Sequence, residues 1–137
     1  MSKFNLFVYG TLRAGGSAAG LLDGCEWLGR ATVHGILYDI DGRFPALVLY
    51  GEDSPVHGDV WRCPARFLPS LDRYEGVAEG LFRRVAAEVD TAGGRTPCWL
   101  YTAGPALSRK LSFDRRIVSG EWTGAARPAQ GRAHPPV

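Results

Sequence analysis

The chain has 137 residues, of which 45% are hydrophobic and 22% charged, and its net charge is +2. These values are ordinary for one soluble globular domain, and the scattered basic residues form no stripe of the kind that nucleic-acid-binding proteins carry. No apolar run approaches the length of a membrane span, and the N-terminus lacks the organisation of a signal peptide, so we expect a cytoplasmic protein without membrane or nucleic-acid partners.

The first predicted strand, Phe4–Tyr9, ends abruptly at a turn that contains a glycine. Gly10 has no Cβ, so the chain can turn there and another molecule can come close to the backbone. Beyond the strand end, the amide N–H groups of Gly10, Thr11 and Leu12 lose their ladder partners and can converge on an anion. We therefore expect this turn to bind a carboxylate, with Tyr9 at its mouth.

Further short strand patterns follow, separated by many glycines and prolines. The predicted strands are Ala31–Ile40, Ala46–Tyr50, Val56–Cys63, Phe82–Asp90 and Thr96–Thr102. Turn residues between the last two strands predict a hairpin. Strands at this spacing with few helices between them predict an α+β fold, a small curved mixed sheet or barrel of about six to seven strands with one or two short helices.

Helical patterns are confined to two places. Four glycines limit positions 14–24 to a short turn around Ala18–Leu22. In Pro64–Gly76, apolar residues recur on one helical face and Gly76 is a natural stop. We expect residues 1–122 to form one domain and residues 123–137, which hold no large apolar residue except the terminal valine, to be a disordered tail.

Glu75 is the strongest candidate for a catalytic residue. It follows Leu71 by four residues on the apolar helix face, which directs its side chain inward. A carboxylate in an apolar pocket has a raised pKa and can accept a proton near neutral pH. On these residues alone, a solvated position at the helix end is the alternative, because buried glutamates are rare. Among the aromatic residues, we place Tyr9 and Tyr101 near the site and most others in the core.

Asp39–Pro45 superficially resembles a metal-binding loop. It lacks the later acidic ligands of a calcium loop, so we expect a tight turn between strands, with Arg43 and Phe44 flanking a ligand. The three histidines and three cysteines lack metal-ligand spacing, and the cysteines are expected to be reduced thiols. The chain also lacks a nucleotide-binding P-loop and the Gly-x-Ser-x-Gly elbow of serine hydrolases. We therefore expect neither metal nor cofactor.

Six segments in a fixed order carry a resemblance to a known family. They are Val8–Arg13, Gly42–Val48, Val56–Trp61, Leu71–Gly76, Trp99–Tyr101 and Ser119–Trp122. In this order they resemble the γ-glutamylcyclotransferase-like family, including its γ-glutamylamine cyclotransferase branch, from Phe4 to about Trp122. The chain departs from the family at Phe82-Arg83-Arg84, where a Tyr-x-Arg sequence is frequent, so a phenolic hydroxyl is missing.

The resemblance implies a cofactor-independent, intramolecular aminolysis of a small γ-glutamyl substrate. The turn at Gly10, Thr11 and Leu12 would hold the γ-glutamyl group, and Glu75 would move a proton from its α-ammonium to the departing amine. The products would be 5-oxoproline and a free amine or amino acid. Two alternatives stay open: a non-catalytic small-molecule binding module with the same pocket, which Phe82 favours, and a biosynthetic γ-glutamyl-removing step that differs only in the leaving amine. The leaving amine and the oligomeric state are not predicted.

Overall fold

The fold was analysed in a computed structural model, which describes residues 2–49 and 54–124. Within these ranges the strands are β1 Lys3–Val8, β2 Glu26–Ile40, β3 Phe44–Val48, β4 Ser54–Pro64, β5 Phe82–Thr91 and β6 Gly94–Ala103. The α-helix, α1, is Leu68–Tyr74, and single 3₁₀ turns lie at Ala19–Leu22, Ala65–Phe67, Pro105–Lys110 and Phe113–Arg115. None of the helices in the described ranges is long and apolar enough to cross a membrane.

The strands form one mixed sheet that closes on itself. Their order is β3-β2-β4-β1-β6-β5, and a further pairing of β2 with β5 closes a barrel of five strands that leaves β3 outside the ring. Strand β1 runs antiparallel to β4 but parallel to β6, where Leu6 faces Trp99. The closing seam joins Ala31 to Thr91 and Thr32 to Asp90. The predicted α+β class and the small mixed barrel are therefore confirmed.

The predicted hairpin is β5–β6, paired from Phe82 opposite Ala103 to Thr91 opposite Gly94. Strand β2 is longer than predicted and begins at Glu26. Its first residues pair with the end of β4, and a bulge between Trp27 and Gly29 shifts the register there. The bulge breaks the alternation of buried and exposed residues on which the prediction depended.

Helix α1 is a short element between β4 and β5. Pro69 lies in its first turn, where a missing N–H costs nothing, and Leu71 is buried. After the cap residue Glu75, Gly76 takes a positive φ of 68°, which ends the helix. The residues before α1, Ala65–Phe67, form a 3₁₀ turn, so the α-helix is shorter than the sequence pattern predicted. Most of the tail predicted to be disordered, residues 125–137, lies outside the described residues.

Besides the tyrosines, three polar residues are buried among the described residues. These are Thr11, Asp59 and Glu75, all less than 4% exposed. A buried polar group costs free energy unless it is partnered, so each must have a structural or chemical reason. Asp59 has a structural one, because its carboxylate accepts a 2.8 Å hydrogen bond from the amide of Ala14 and lies 3.6 Å from Nε of Arg13. Thr11 and Glu75 belong to the site.

Candidate active site

Glu75 is the C-terminal cap of α1 and has no exposed surface. Its amide donates a 2.9 Å hydrogen bond to the carbonyl of Leu71, one turn earlier, and both side chains point to the barrel. The alternative of a solvated glutamate is therefore wrong for this fold. Glu75 lines a closed pocket, too narrow for a water molecule, together with Phe7, Val8, Tyr9, Leu12 and Tyr101.

The turn after β1 forms the next part of the site. The amide of Arg13 donates to the carbonyl of Gly10 at 3.1 Å, and the amide of Ala18 donates to the carbonyl of Thr11 at 2.9 Å. No hydrogen bond found among the described residues has the amide of Gly10, Thr11 or Leu12 as its donor. The turn is thus held through its carbonyl oxygens, while its first three amides have no acceptor within residues 2–49 and 54–124.

The side chain of Arg13 braces this turn. Its Nη1 donates to the carboxylate of Glu121 at 3.1 Å, and its Nε lies 3.6 Å from buried Asp59. The same Asp59 oxygen accepts from the Ala14 amide, so one carboxylate holds both the backbone and the side chain of the turn. Arg13 is not one of the residues that line the pocket of Glu75.

Three tyrosine hydroxyls lie near the Glu75 carboxylate, and each has a hydrogen-bond partner. Tyr9 donates to the carbonyl of Tyr101 at 2.6 Å and accepts from the amide of Leu47 at 3.3 Å. Tyr74 shares a 3.2 Å hydrogen bond with the hydroxyl of Thr11. The predicted site residues Tyr9, Thr11 and Tyr101 are therefore linked to one another or to the loop and helix that carry the site.

The three tyrosines stay protonated at neutral pH. Burial and then the negative charge of Glu75 raise the pKa of Tyr9 well above its usual value, although the hydrogen bond from Leu47 opposes the shift. Burial raises the pKa of Tyr74 to about 12, with Glu75 adding to the shift and Thr11 opposing it. For Tyr101, burial comes first and the hydrogen bond to Asp72 second among the causes that raise its pKa. Glu75 therefore shares its surroundings with neutral phenols.

A carboxylate–guanidinium pair at α1 was missed by sequence reasoning. Nε and Nη2 of Arg84, on β5, donate to the two carboxylate oxygens of Asp72 at 2.9 and 3.1 Å. The hydroxyl of Tyr101 donates to the same carboxylate at 2.7 Å. One signal was available: Asp72 precedes Glu75 by three residues, and Arg84 is the arginine of the segment that replaces Tyr-x-Arg.

The other predicted ligand-flanking residues lie elsewhere. Arg43 is exposed in the turn between β2 and β3, and Phe44 is buried in β3. The ring of Phe44 packs on the ring of Phe82, with centroids 5.9 Å apart, and Phe82 is 1% exposed. Neither Arg43 nor Phe44 lines the pocket of Glu75, so their contact with a ligand stays a prediction. Phe82 fills its position as a core residue.

The described residues contain no cluster of three or more His, Cys, Asp or Glu side chains that could hold a metal ion. Cys25, Cys63 and Cys98 are free cysteines. Burial raises the pKa of all three thiols, and the neighbouring Cys25 thiol raises the pKa of Cys63 further. A raised pKa lowers the thiolate fraction, so these cysteines are poor nucleophiles.

Comparison with known proteins identifies the family. A family model described as gamma-glutamyl cyclotransferase, AIG2-like, matches residues 6–124. The gamma-L-glutamyl-butirosin B gamma-glutamyl cyclotransferase of Niallia circulans is 33% identical over 103 residues, which are 71% of this chain and 65% of that protein. The chain thus spans slightly less than two thirds of the length of this curated relative.

Solved structures share the fold. An AIG2-like protein from Mus musculus superposes with a TM-score of 0.73 and 17% identity, covering 100% of this chain and 98% of that chain. YkqA from Bacillus subtilis gives a TM-score of 0.72 and 24% identity, covering 88% of this chain but 40% of that chain. At these identities the likeness concerns the fold alone.

Proposed function

This chain belongs to the gamma-glutamyl cyclotransferase, AIG2-like family, and from that premise we propose that it cyclises the γ-glutamyl group of a small molecule to 5-oxoproline and releases an amine. The observation that carries the proposal is the position of Glu75, a fully buried carboxylate in one pocket with Tyr9 and Leu12, which flank the turn at Gly10. The relative from Niallia circulans, named as a γ-glutamyl cyclotransferase, supports the same reaction class.

In the proposed complex the substrate folds back on itself so that its α-amine lies against its own γ-carbonyl. The amides of Gly10, Thr11 and Leu12 donate either to the α-carboxylate or to the γ-carbonyl oxygen. Both reacting groups belong to one molecule, so holding the folded conformer supplies a large part of the rate enhancement, on the order of several kcal/mol. The pocket of Glu75 is narrower than a water molecule, so the substrate must displace side chains to enter.

The chemical step needs one proton shuttle. Glu75 accepts a proton from the α-ammonium, and the freed amine attacks the γ-carbonyl carbon to form a new C–N bond. The resulting oxyanion is stabilised by amides of the turn if they face that oxygen. Glu75 then returns the proton to the nitrogen of the departing amine as the original C–N bond breaks. The ring nitrogen gives up its remaining extra proton through the same carboxylate to the departing amine, which leaves as an ammonium ion. The products are 5-oxoproline and the amine, and no water is consumed.

The proposal is tested by incubating the protein with a γ-glutamyl amine, a γ-glutamyl dipeptide and γ-L-glutamyl-butirosin B, and by measuring 5-oxoproline by mass spectrometry. We expect product from at least one of them. Glu75→Gln should fold and bind that substrate but form no product, because an amide cannot shuttle the proton. Full activity of this variant would contradict the mechanism.

The second candidate is a non-catalytic binding module, and one observation favours it. The position at which the family often has a tyrosine holds Phe82, which lies in the core against Phe44 and has no hydroxyl to offer a substrate. Saturable binding of a γ-glutamyl compound that stays chemically unchanged over hours would favour this candidate over the enzyme.

A further inference from the structure

We propose that Asp72 and Arg84 are positioning residues, whose two-pronged contact locks α1 against the β5–β6 hairpin and thereby aims the carboxylate of Glu75 into its pocket. The inference rests on the proposed function, because it takes Glu75 as the group that must be aimed. Neither Asp72 nor Arg84 needs to touch the substrate for this role.

The contact has the geometry of a strong charge pair. The guanidinium of Arg84 meets the carboxylate of Asp72 through two parallel hydrogen bonds of 2.9 and 3.1 Å. Such a fork fixes the relative orientation of both groups, which a single hydrogen bond does not. The guanidinium also stacks on Trp99, with its Cζ 4.4 Å from the ring centroid. Because both side chains are about a quarter exposed, the pair is screened less than a surface ion pair.

The position of Asp72 on α1 couples this contact to the orientation of Glu75. The two residues are three apart, so they lie one above the other on the same side of the helix. Helix α1 has only seven residues, and a helix of this length has little stability of its own. Its rotation about its axis is therefore set by tertiary contacts, chiefly the packing of Leu71 and the fork on Asp72. A small rotation would carry the Glu75 carboxylate away from the pocket.

A second connection ties the fork to the pocket wall. Tyr101 donates its hydroxyl to Asp72, and its carbonyl accepts from the hydroxyl of Tyr9. The hydroxyl of Tyr9 in turn accepts from the amide of Leu47 on β3. Hydrogen bonds on Tyr9 and on both ends of Tyr101 thus connect β3 to α1 through two of the residues that line the pocket. Asp72 is the point where this connection and the Arg84 fork meet.

The test uses Arg84→Met and Asp72→Asn, with Arg83→Met as the matched control. Arg83 is the exposed neighbour on the opposite face of β5, and its side chain has no part in the fork. We expect Arg84→Met and Asp72→Asn to lower kcat by at least about tenfold with little change in KM, because a displacement of about 1 Å in a reacting group costs about that much or more. The double variant should be no slower than the slower single variant, since the two residues act as a unit.

Arg84→Lys separates orientation from charge, since lysine keeps the positive charge but lacks the fork. It should remain well below the wild-type kcat. Wild-type kcat in Arg84→Lys, or in folded Arg84→Met, would overturn the inference. If Arg84→Met does not fold, Arg84→Lys and Asp72→Asn are judged by the same criterion.

A measurement that does not depend on catalysis distinguishes a failure of the positioning role from a failure of the proposed function. The side-chain carboxyl carbon of Glu75 is observed by ¹³C NMR and assigned by its loss in Glu75→Gln. Its resonance should move in Arg84→Met and Asp72→Asn but not in Arg83→Met. If the wild type forms no 5-oxoproline, the proposed function fails, and an unmoved Glu75 resonance in the folded variants would independently overturn the positioning role.

Discussion

Gly58 offers a sharp test of the packing between β1 and β4. A Cβ built at this position would lie 2.6 and 2.8 Å from two ring carbons of Phe7 and closer still to the carbonyl oxygen of Val8. Carbon atoms in contact normally stay about 3.5–4.0 Å apart, so Gly58→Ala requires the Phe7 ring to move by about 1 Å and the two strands to separate. Phe7 lines the pocket of Glu75, so the same movement reaches the site.

The expected cost follows from overpacking. Extra methyl groups forced into a packed interior destabilise a protein by about 1–3 kcal/mol, and here one of the clashes is with backbone, which yields less than a side chain does. For a domain of this size, about 1 kcal/mol lowers Tm by about 3–5 °C, so we expect Gly58→Ala to melt about 3–15 °C below the wild type.

Thermal unfolding followed by circular dichroism gives the measurement, with Gly20→Ala as the matched control. Gly20 is exposed, and a Cβ there meets no atom within 4 Å. The same glycine-to-alanine change should therefore leave Tm unchanged or raise it slightly, by at most about 1 kcal/mol in stability. Equal melting temperatures for the two variants would show that the close approach of Gly58 to Phe7 and Val8 is not real.

Three further predictions concern the turn, the helix and the pH dependence of stability. Gly10→Val should keep the fold but abolish substrate binding measured by calorimetry, because a branched side chain intrudes on the turn. Unchanged affinity would show that the turn does not bind the substrate. Leu71→Ala should cost about 2–5 kcal/mol in urea unfolding, since Leu71 is 2% exposed, and a smaller loss would mean that α1 is not held by this side chain. Burial alone would raise the pKa of Asp72, but hydrogen bonds from Arg84 and Tyr101 and the charge of Arg84 hold it below its usual value. The stability that this pairing contributes is therefore present above about pH 4 and is lost as the pH falls further. In Asp72→Asn the unfolding free energy should therefore decline less steeply below about pH 4 than in the wild type. An equally steep decline in both proteins would contradict this assignment.

The sequence was sufficient where the signal was local. Alternating residues and a glycine turn predicted the β5–β6 hairpin, and the spacing from Leu71 to Glu75 predicted an inward carboxylate. The strand pairing that closes the barrel could not be predicted from the sequence, because Ala31 and Thr91 lie far apart in the chain and no local pattern marks their pairing. The early start of β2 was hidden by its bulge.

The site shows the same division. The turn at Gly10 and the helix position of Glu75 could be recognised from short segments. The contact of Asp72 with Arg84 and Tyr101 could not, since it depends on the register that β5 and β6 adopt beside α1. The direction of the Arg43 side chain could not be predicted, because the same hairpin turn can face either a ligand or solvent. In the structure Arg43 is exposed.

The β5–β6 hairpin is a firmly paired unit that is joined weakly to the rest of the barrel. Ten residue pairs hold β5 to β6, whereas two pairs join β5 to β2 and one pair, Leu6 with Trp99, joins β6 to β1. Local opening of a sheet costs least where the fewest pairs must separate. The hairpin can thus move as a unit relative to the other three strands of the barrel. One of its two weak seams borders β1, the strand that leads into the Gly10 turn, so this movement would reach the pocket of Glu75, which Tyr101 of the hairpin also lines.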